Sequence, residues 1–373
     1  MDAYKENDKD NDFSVKMFIN GIKCSNENDL FNKINEIIKN KNNDAYNLTH
    51  NSDIDGIVSA ALLLRNKIIK DRDHILFCNY GGEIKDEIIK KINSINKKNT
   101  CLIITDFGIP QNDLGFLNSL EEFKKEGGYI IMLDHHPTKF EPDEKYLNLF
   151  DATVFGENKN LCGAELVYKF IISKENKDNI SDKLVELAHK SDFYLYKGTN
   201  LEEVVEKISN IIDYINDHAR IHSENKNLRR LSEYISKNEF ENEFINELYK
   251  KFKKNEAKYI DELNSNIYTF EINNIKVGVG FSKGIKSNKA CEIIFDKTNS
   301  DIAIFINIKS SSGSIRTKSF DSTELARSLG GNGHPKASGF NLNFKIKTKK
   351  SKEYVVKLIK EKTENTAEKL YRI

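Results

Sequence analysis

Four groups of acidic and imidazole side chains carry the chemistry legible in this sequence. The first is His50-Asn51-Ser52-Asp53-Ile54-Asp55-Gly56, where two carboxylates two residues apart can address neighbouring cations while Gly56 permits a tight backbone turn. The second is Asp106, which closes the apolar run Ile103-Ile104-Thr105. The third is Asp134-His135-His136, directly after Met132-Leu133. Adjacent side chains at a strand end project in opposite directions, so one imidazole can bind metal while the other faces a substrate. The fourth is Asp192, at the end of an amphipathic helix, where an acid opposes the helix dipole and needs a positive partner such as a cation. Each group alone has an ordinary alternative: a helix cap for Asp53, a surface pair for the histidines, a solvated helix end for Asp192. Their recurrence in one order favours a shared site of hard carboxylate and imidazole ligands. That set suits Mn²⁺ or Mg²⁺, and two such ions together activate water for attack on a phosphoester.

The elements that must position these groups follow from apolar spacing. Strand-like runs at 45–50, 75–80, 101–106, 129–133 and 147–153 alternate with helical spacing at 56–70, 84–95, 114–125, 164–172 and 182–190. Over 25–195 this predicts an α/β domain, a mainly parallel sheet flanked by helices, led in by a helix bearing Leu30, Phe31, Ile34, Ile37 and Ile38. The acidic groups then fall at the carboxyl ends of strands, where open α/β sheets bind ligands. Residues 196–264 are charged and helical in period, which reads as a helical connector. From 265 to 373, short β-rich runs at 267–272, 275–281, 302–308, 314–317 and 340–346, with helices at 288–296, 323–328 and 352–370, predict a smaller C-terminal α/β domain. Residues 1–24 read as a partly disordered tail, because the first twelve hold five acids, two lysines and almost no apolar side chains.

Composition narrows the function classes. Across 373 residues, 58 Lys and Arg nearly balance 57 Asp and Glu, so the net charge of +1 excludes a globally basic nucleic-acid binder and any phosphate must be held locally. The longest apolar stretch, around 57–64, is far short of the roughly 20 residues that cross a bilayer, so no membrane partner is expected. The acidic N-terminus does not read as a secretory signal, and a cytoplasmic protein is expected. Five dispersed cysteines argue against a disulfide framework and against a cysteine zinc site.

Taken in order, Asp53-Ile54-Asp55-Gly56, Asp106, Asp134-His135-His136 and Asp192 resemble the successive motifs of the DHH phosphoesterase superfamily. The later Gly330-Gly331-Asn332-Gly333-His334 resembles the glycine-rich motif of the DHH-associated substrate-binding domain. The likeness runs from about residue 46 to 346 and is nearer to RecJ-like and nano-RNase-like members than to family II pyrophosphatases. The resemblance implies an active site in the cleft between the two domains. It further implies that Asp53 and Asp106 hold one cation, with Asp55, Asp106, His135 and Asp192 around a second, Asp106 bridging the pair. His50, three residues ahead of Asp53, stands at a position whose spacing varies in the superfamily, so its ligand role stays open. His136 would face the phosphate, and Asp134 would orient a histidine and raise its basicity. Gly331, Gly333, His334 and Arg316 would bind substrate, the arginine through its planar fork. For the glycines alone a flexible turn is the alternative, and for Arg316 an ordinary surface charge.

The implied activity is a two-metal phosphodiesterase using Mn²⁺, with Mg²⁺ possible: a single-strand-specific exonuclease or oligonucleotidase releasing mononucleotides from short RNA or DNA. Residues 341–373 hold ten basic and four acidic side chains, a local excess that attracts a polyanion or simply solvates a helix. The alternatives are a cyclic-dinucleotide phosphodiesterase or nucleoside-bisphosphate phosphatase, and an inactive replication-associated scaffold. A homo-oligomer or a replication or repair partner is compatible with each.

Overall fold

The computed structural model describes residues 15–40, 44–80, 82–137, 140–156, 160–218 and 221–366. The acidic start of the chain and the expected end of the last helix, at 367–370, lie outside the described residues. The chain divides into two units, Met1–Tyr249 and Lys250–Ile373.

The first unit is built on strands β1 (Lys16–Ile19), β2 (Ile22–Cys24), β3 (Ala45–His50), β4 (Ile75–Cys78), β5 (Cys101–Thr105), β6 (Tyr129–Leu133) and β7 (Ala152–Phe155). Its helices are α1 (Glu27–Asn40), α2 (Ile54–Arg65), α3 (Gly82–Ser94), α4 (Leu114–Lys125), α5 (Glu144–Leu147), α6 (Gly163–Phe170), α7 (Asn179–Asp192), α8 (Glu202–His218) and α9 (Ile221–Ser236), and α10 (Glu243–Asn264) leads into the second unit. The sheet order is β2-β1-β7-β6-β5-β3-β4. Strands β3 to β7 pair in parallel, whereas β1 pairs antiparallel with both β2 and β7. Successive residues of the central strands serve opposite faces. Cys101 and Ile103 join the core beneath α2, α6 and α7, while Leu102 and Ile104 join the core beneath α3 and α4. Helix α2 is buried along nearly its whole length, from Ile54 to Leu63, which explains why it is apolar on every side.

Two expectations change. Part of the segment read as a tail forms the β1–β2 hairpin, turned at Asn20-Gly21 with positive φ at both residues, 49° and 77°. Asn-Gly is the favoured pair for such a turn, because both positions need left-handed backbone. The helices read as a connector are not separate from the sheet: Ile208, Ile211, Ile212, Leu228, Leu231 and Ile235 lie in the same buried cluster as α2. Their exposed charge conceals a continuous apolar stripe, and the division between units falls inside α10.

The second unit has strands β8 (Ile267–Ile272), β9 (Ile275–Ser282), β10 (Ile302–Asn307), β11 (Ser312–Thr317), β12 (Asn332–His334) and β13 (Ala337–Asn341), in the order β12-β13-β11-β10-β9-β8. Only β9 and β10 pair in parallel among these. Helix α11 (Ser287–Thr298) packs on one face, and α12 (Thr323–Ser328) and α13 (Lys349–Thr366) contribute to the core on the other. The last strand thus ends at Asn341, earlier than the apolar run at 340–346 indicates, since Ile346 buries its side chain from a loop. Among the described residues, no helix is long and apolar enough to cross a membrane.

Candidate metal centre

Strand β3 has β4 on one side and β5 on the other, so the winding of the sheet reverses there. The crevice outside the carboxyl ends of strands at such a switch point is the ligand site of open α/β sheets. Asp53 and Asp55 follow β3, Asp106 directly follows β5, the Asp134-His135-His136 triplet follows β6, and Asp192 ends α7.

The structure brings these seven residues, and His50 at the end of β3, into one cluster or its immediate support. His50, Asp53 and Asp106 place one ligand atom each within 4.8 Å of one another, as do Asp55, His135 and Asp192, and Asp106, His135 and His136. Asp106 and His135 each belong to two of these groups. From His135 Nε2 the distances are 3.4 Å to Asp106 Oδ1, 3.6 Å to Asp55 Oδ2 and 3.9 Å to Asp192 Oδ2. His50 Nδ1 lies 3.1 Å from Asp53 Oδ2. Asp53 also caps α2, its Oδ1 accepting the Gly56 N–H at 3.0 Å, so capping and cluster membership coexist in one carboxylate. The helix consequently starts at Ile54 rather than at Gly56.

The two histidines depart from expectation. Strand β6 ends at Leu133, so alternation no longer governs the next residues, and the rings of His135 and His136 sit together with centroids 4.4 Å apart. Both reach Asp106 Oδ1, at 3.4 and 3.7 Å, and Asp134 Oδ1 pairs with His136 Nδ1 at 2.8 Å.

Several supports have no readable signature in the sequence. Both oxygens of Asp55 accept backbone N–H groups at the start of α6, from Gly163 at 2.6 Å and Ala164 at 2.7 Å. A Cβ on Gly163 would stand 2.7 Å from the Asp106 Cβ, so only glycine fits there. Glu165 Oε2 takes both the Cys162 N–H, at 2.8 Å, and the His189 ring nitrogen, at 2.9 Å. The carboxylate of Glu165 thereby ties the α6 start, which holds Asp55, to the helix that carries Asp192. Asn216 on α8 donates to the Asn51 carbonyl at 2.9 Å, inside the first motif. Asp106 itself adopts a left-handed backbone, with φ 49°, a sparsely populated conformation for a residue other than glycine.

The electrostatics of the cluster are those of crowded, desolvated carboxylates. Burial pushes Asp55 up to about 6, against the pull of His135. Burial, then the charges of Asp55 and Asp53, drive Asp106 well above the ordinary carboxylate value, and burial also raises Asp192. Burial opposes the charged form of Asp53 as well, but the His50 hydrogen bond and charge outweigh it and hold the group low. Hydrogen bonding to Asp134 lifts His136 to about 9. Asp106 Oδ2 and His135 Nε2 are buried without a hydrogen-bond partner. Orphaned acceptors among crowded, desolvated carboxylates fit hard divalent cations, which would satisfy these atoms and offset the repulsion.

The remaining candidates lie in the second unit. Arg316 pairs across the sheet with Ala337, which in turn pairs with His334, so these two candidates sit either side of one residue. Arg316 directs Nε and Nη2 at the Asn288 side-chain oxygen, at 3.0 and 2.8 Å, and His334 is exposed. Asn332–His334 is strand β12 rather than a free turn. Gly331 and Gly333 are required by that pairing: a Cβ would meet the Gly339 carbonyl oxygen at 2.0 Å and the Ser338 Cα at 2.4 Å respectively. A shallow depression beside them is lined by Ser312, Ser314, Gly331, Asn332 and Phe340, and neither Arg316 nor His334 forms its wall.

The sequence model of the DHH family, N-terminal domain, matches residues 48–189, the segment that carries all of the clustered ligands but Asp192. None of the curated proteins matches. Among solved structures, the DHH domain of a protein described as a member of a family of ribosomal proteins is similar at a TM-score of 0.52 with 16% identity, covering 92% of this chain and 90% of its own. The exonuclease RecJ bound to manganese is similar at a TM-score of 0.52 with 13% identity, covering 91% of this chain and 94% of its own. At these identities the likeness is one of fold. With these ligand motifs gathered at the switch point of the sheet, residues 48–189 carry the match to the DHH family, N-terminal domain.

Proposed function

We propose that the protein is a two-metal phosphodiesterase that releases mononucleotides from short single-stranded RNA or DNA. The observation that carries the reading is the cluster at the β3–β5 crevice, where Asp106 and His135 each serve two ligand groups and present buried atoms with no hydrogen-bond partner. Asp53, Asp106 and His50 would hold one cation and Asp55, Asp106, His135 and Asp192 the other, Mn²⁺ or Mg²⁺ by donor type. When bound, such ions supply Lewis acidity toward the phosphoryl oxygens and lower the pKa of water.

The chain's own residues supply the rest. Asp134 orients the His136 ring through Nδ1, leaving the other ring nitrogen to face a phosphate oxygen. Gly163 and Ala164 fix both oxygens of Asp55, which removes its freedom to rotate. Arg316, Gly331, Gly333 and His334 are proposed as substrate-binding residues of the second unit. Exposed lysines at 345, 347, 349 and 350 favour an anionic substrate longer than one phosphate. RecJ, with which the fold is shared, is an exonuclease solved with manganese, which supports the same choice of ion.

The test is Mn²⁺-dependent hydrolysis of end-labelled RNA and DNA from dinucleotides to long strands, with cyclic dinucleotides and a nucleoside bisphosphate alongside. Stepwise shortening of short strands is the expected result. Turnover of cyclic or bisphosphate substrates alone would replace the nuclease reading with nucleotide turnover, and absence of any turnover would favour a scaffold.

A further inference from the structure

Tyr80 stands two residues beyond the end of β4, at the rim of the metal cluster. Its ring is stacked on Phe107, with centroids 4.8 Å apart and planes 15° from parallel, and lies 5.4 Å from the His50 ring. Phe107 directly follows Asp106, is only 2% exposed and leans on Phe116, so it is a fixed support. Despite these restraints Tyr80 is 49% exposed. A rigid aromatic ring left in water gains little for the fold, and it offers a ready π-surface to a ligand.

We propose that Tyr80 is a stacking platform for a nucleobase of the substrate, held in place by Phe107 and positioned beside the His50–Asp53–Asp106 half of the cluster. The inference rests on the phosphodiesterase reading and narrows it to substrates that carry a base next to the phosphate being cut. Stacking uses the flat face common to all four bases, so the platform selects nucleotides over polyphosphates or sugar phosphates without reading sequence. A ring 5.4 Å from His50 is near enough for one nucleotide to span platform and cluster.

Two measurements test this. The first compares kcat/KM for a dinucleotide and for the same molecule lacking one base, in wild type, Tyr80→Phe and Tyr80→Leu. The expected preference for the complete dinucleotide is about 10-fold or more, carried by KM, kept by Tyr80→Phe and collapsed to near unity by Tyr80→Leu. Undiminished preference in Tyr80→Leu would overturn the proposal. The second needs no turnover: a 2-aminopurine dinucleotide is titrated into Asp106→Asn protein, which has no tryptophan to interfere. Strong quenching that Tyr80→Leu abolishes is expected, and equal quenching with and without Tyr80 would contradict the platform. Quenching without wild-type hydrolysis of either substrate would sink the phosphodiesterase reading while leaving the base site standing.

Discussion

Asp55 and Gly163 are 108 residues apart in the chain, yet the Gly163 N–H meets Asp55 Oδ2 at 2.6 Å. The contact sets one half of the metal cluster against the start of α6, with no room for a side chain between Gly163 and Asp106. Gly163→Ala is therefore expected to displace Asp106 or Asp55, lowering stability by about 1–3 kcal/mol through overpacking and weakening Mn²⁺ binding at least 10-fold. Calorimetric titration with Mn²⁺ checks it, and wild-type affinity in a folded Gly163→Ala protein would show that the close approach does not position the ligands.

Glu165 makes a second, separable prediction. Its Oε2 joins Cys162 to His189 and so links the anchors of Asp55 and Asp192. Removing such a support beyond the ligands themselves typically costs 10–100-fold in metal affinity. Glu165→Ala should show that loss for one of two ions, while Glu165→Gln, which can still accept from Cys162, should recover part of it. Equal, full affinity for both ions in Glu165→Ala would refute the linkage.

The raised Asp55 gives a pH signature in protein stripped of metal. Its folded pKa of about 6 exceeds the ordinary 3.8, so between these values the native state keeps a proton that the unfolded chain has released. The contribution of Asp55 to stability must then fall as pH rises from about 4 to 6, by on the order of 2–3 kcal/mol. Denaturation of wild type and Asp55→Asn at pH 4 and 6.5 isolates it: wild type should lose ground to the variant at the higher pH. With saturating Mn²⁺ the trend should reverse, because binding requires the deprotonated carboxylate. A gap independent of pH in the absence of metal would be inconsistent with a desolvated Asp55.

The N-terminal hairpin offers a control remote from the cluster. Gly21 has φ 77°, and a Cβ there would stand 2.1 Å from the Asn148 side-chain oxygen. Gly21→Val should cost about 1–3 kcal/mol through left-handed strain and collision, while Mn²⁺ stoichiometry stays at the wild-type value. An unchanged Tm would mean that the β1–β2 turn is not formed as described.

How much of this was legible follows from the range of each interaction. Apolar periodicity located α4 around 114–125 and β6 at 129–133, because α4 carries one regular buried face and β6 is an unbroken apolar run buried on both faces. Asp53, Asp106, His135 and Asp192 were visible since their residue types and their place after apolar runs are local properties. The Asn20-Gly21 turn was equally local but was obscured by the acidic residues before it. The α8 and α9 stripe was obscured by surface charge. Contacts such as Gly163 with Asp55, Glu165 with His189 and Asn216 with Asn51 are tertiary, and no spacing in the chain announces them. Gly331 and Gly333 were visible as residues, but their role in the β12–β13 pairing was not.

The central claim is that Asp106 is shared by two divalent cations on which phosphodiester hydrolysis depends. The most direct test is Mn²⁺ binding stoichiometry and dinucleotide hydrolysis measured together on wild-type and Asp106→Asn protein, with circular dichroism to show that both are folded. Two ions per chain with turnover in wild type, and loss of tight binding at both positions with loss of turnover in the variant, is the result this account predicts. Two tightly held ions and substantial hydrolysis in folded Asp106→Asn would contradict it.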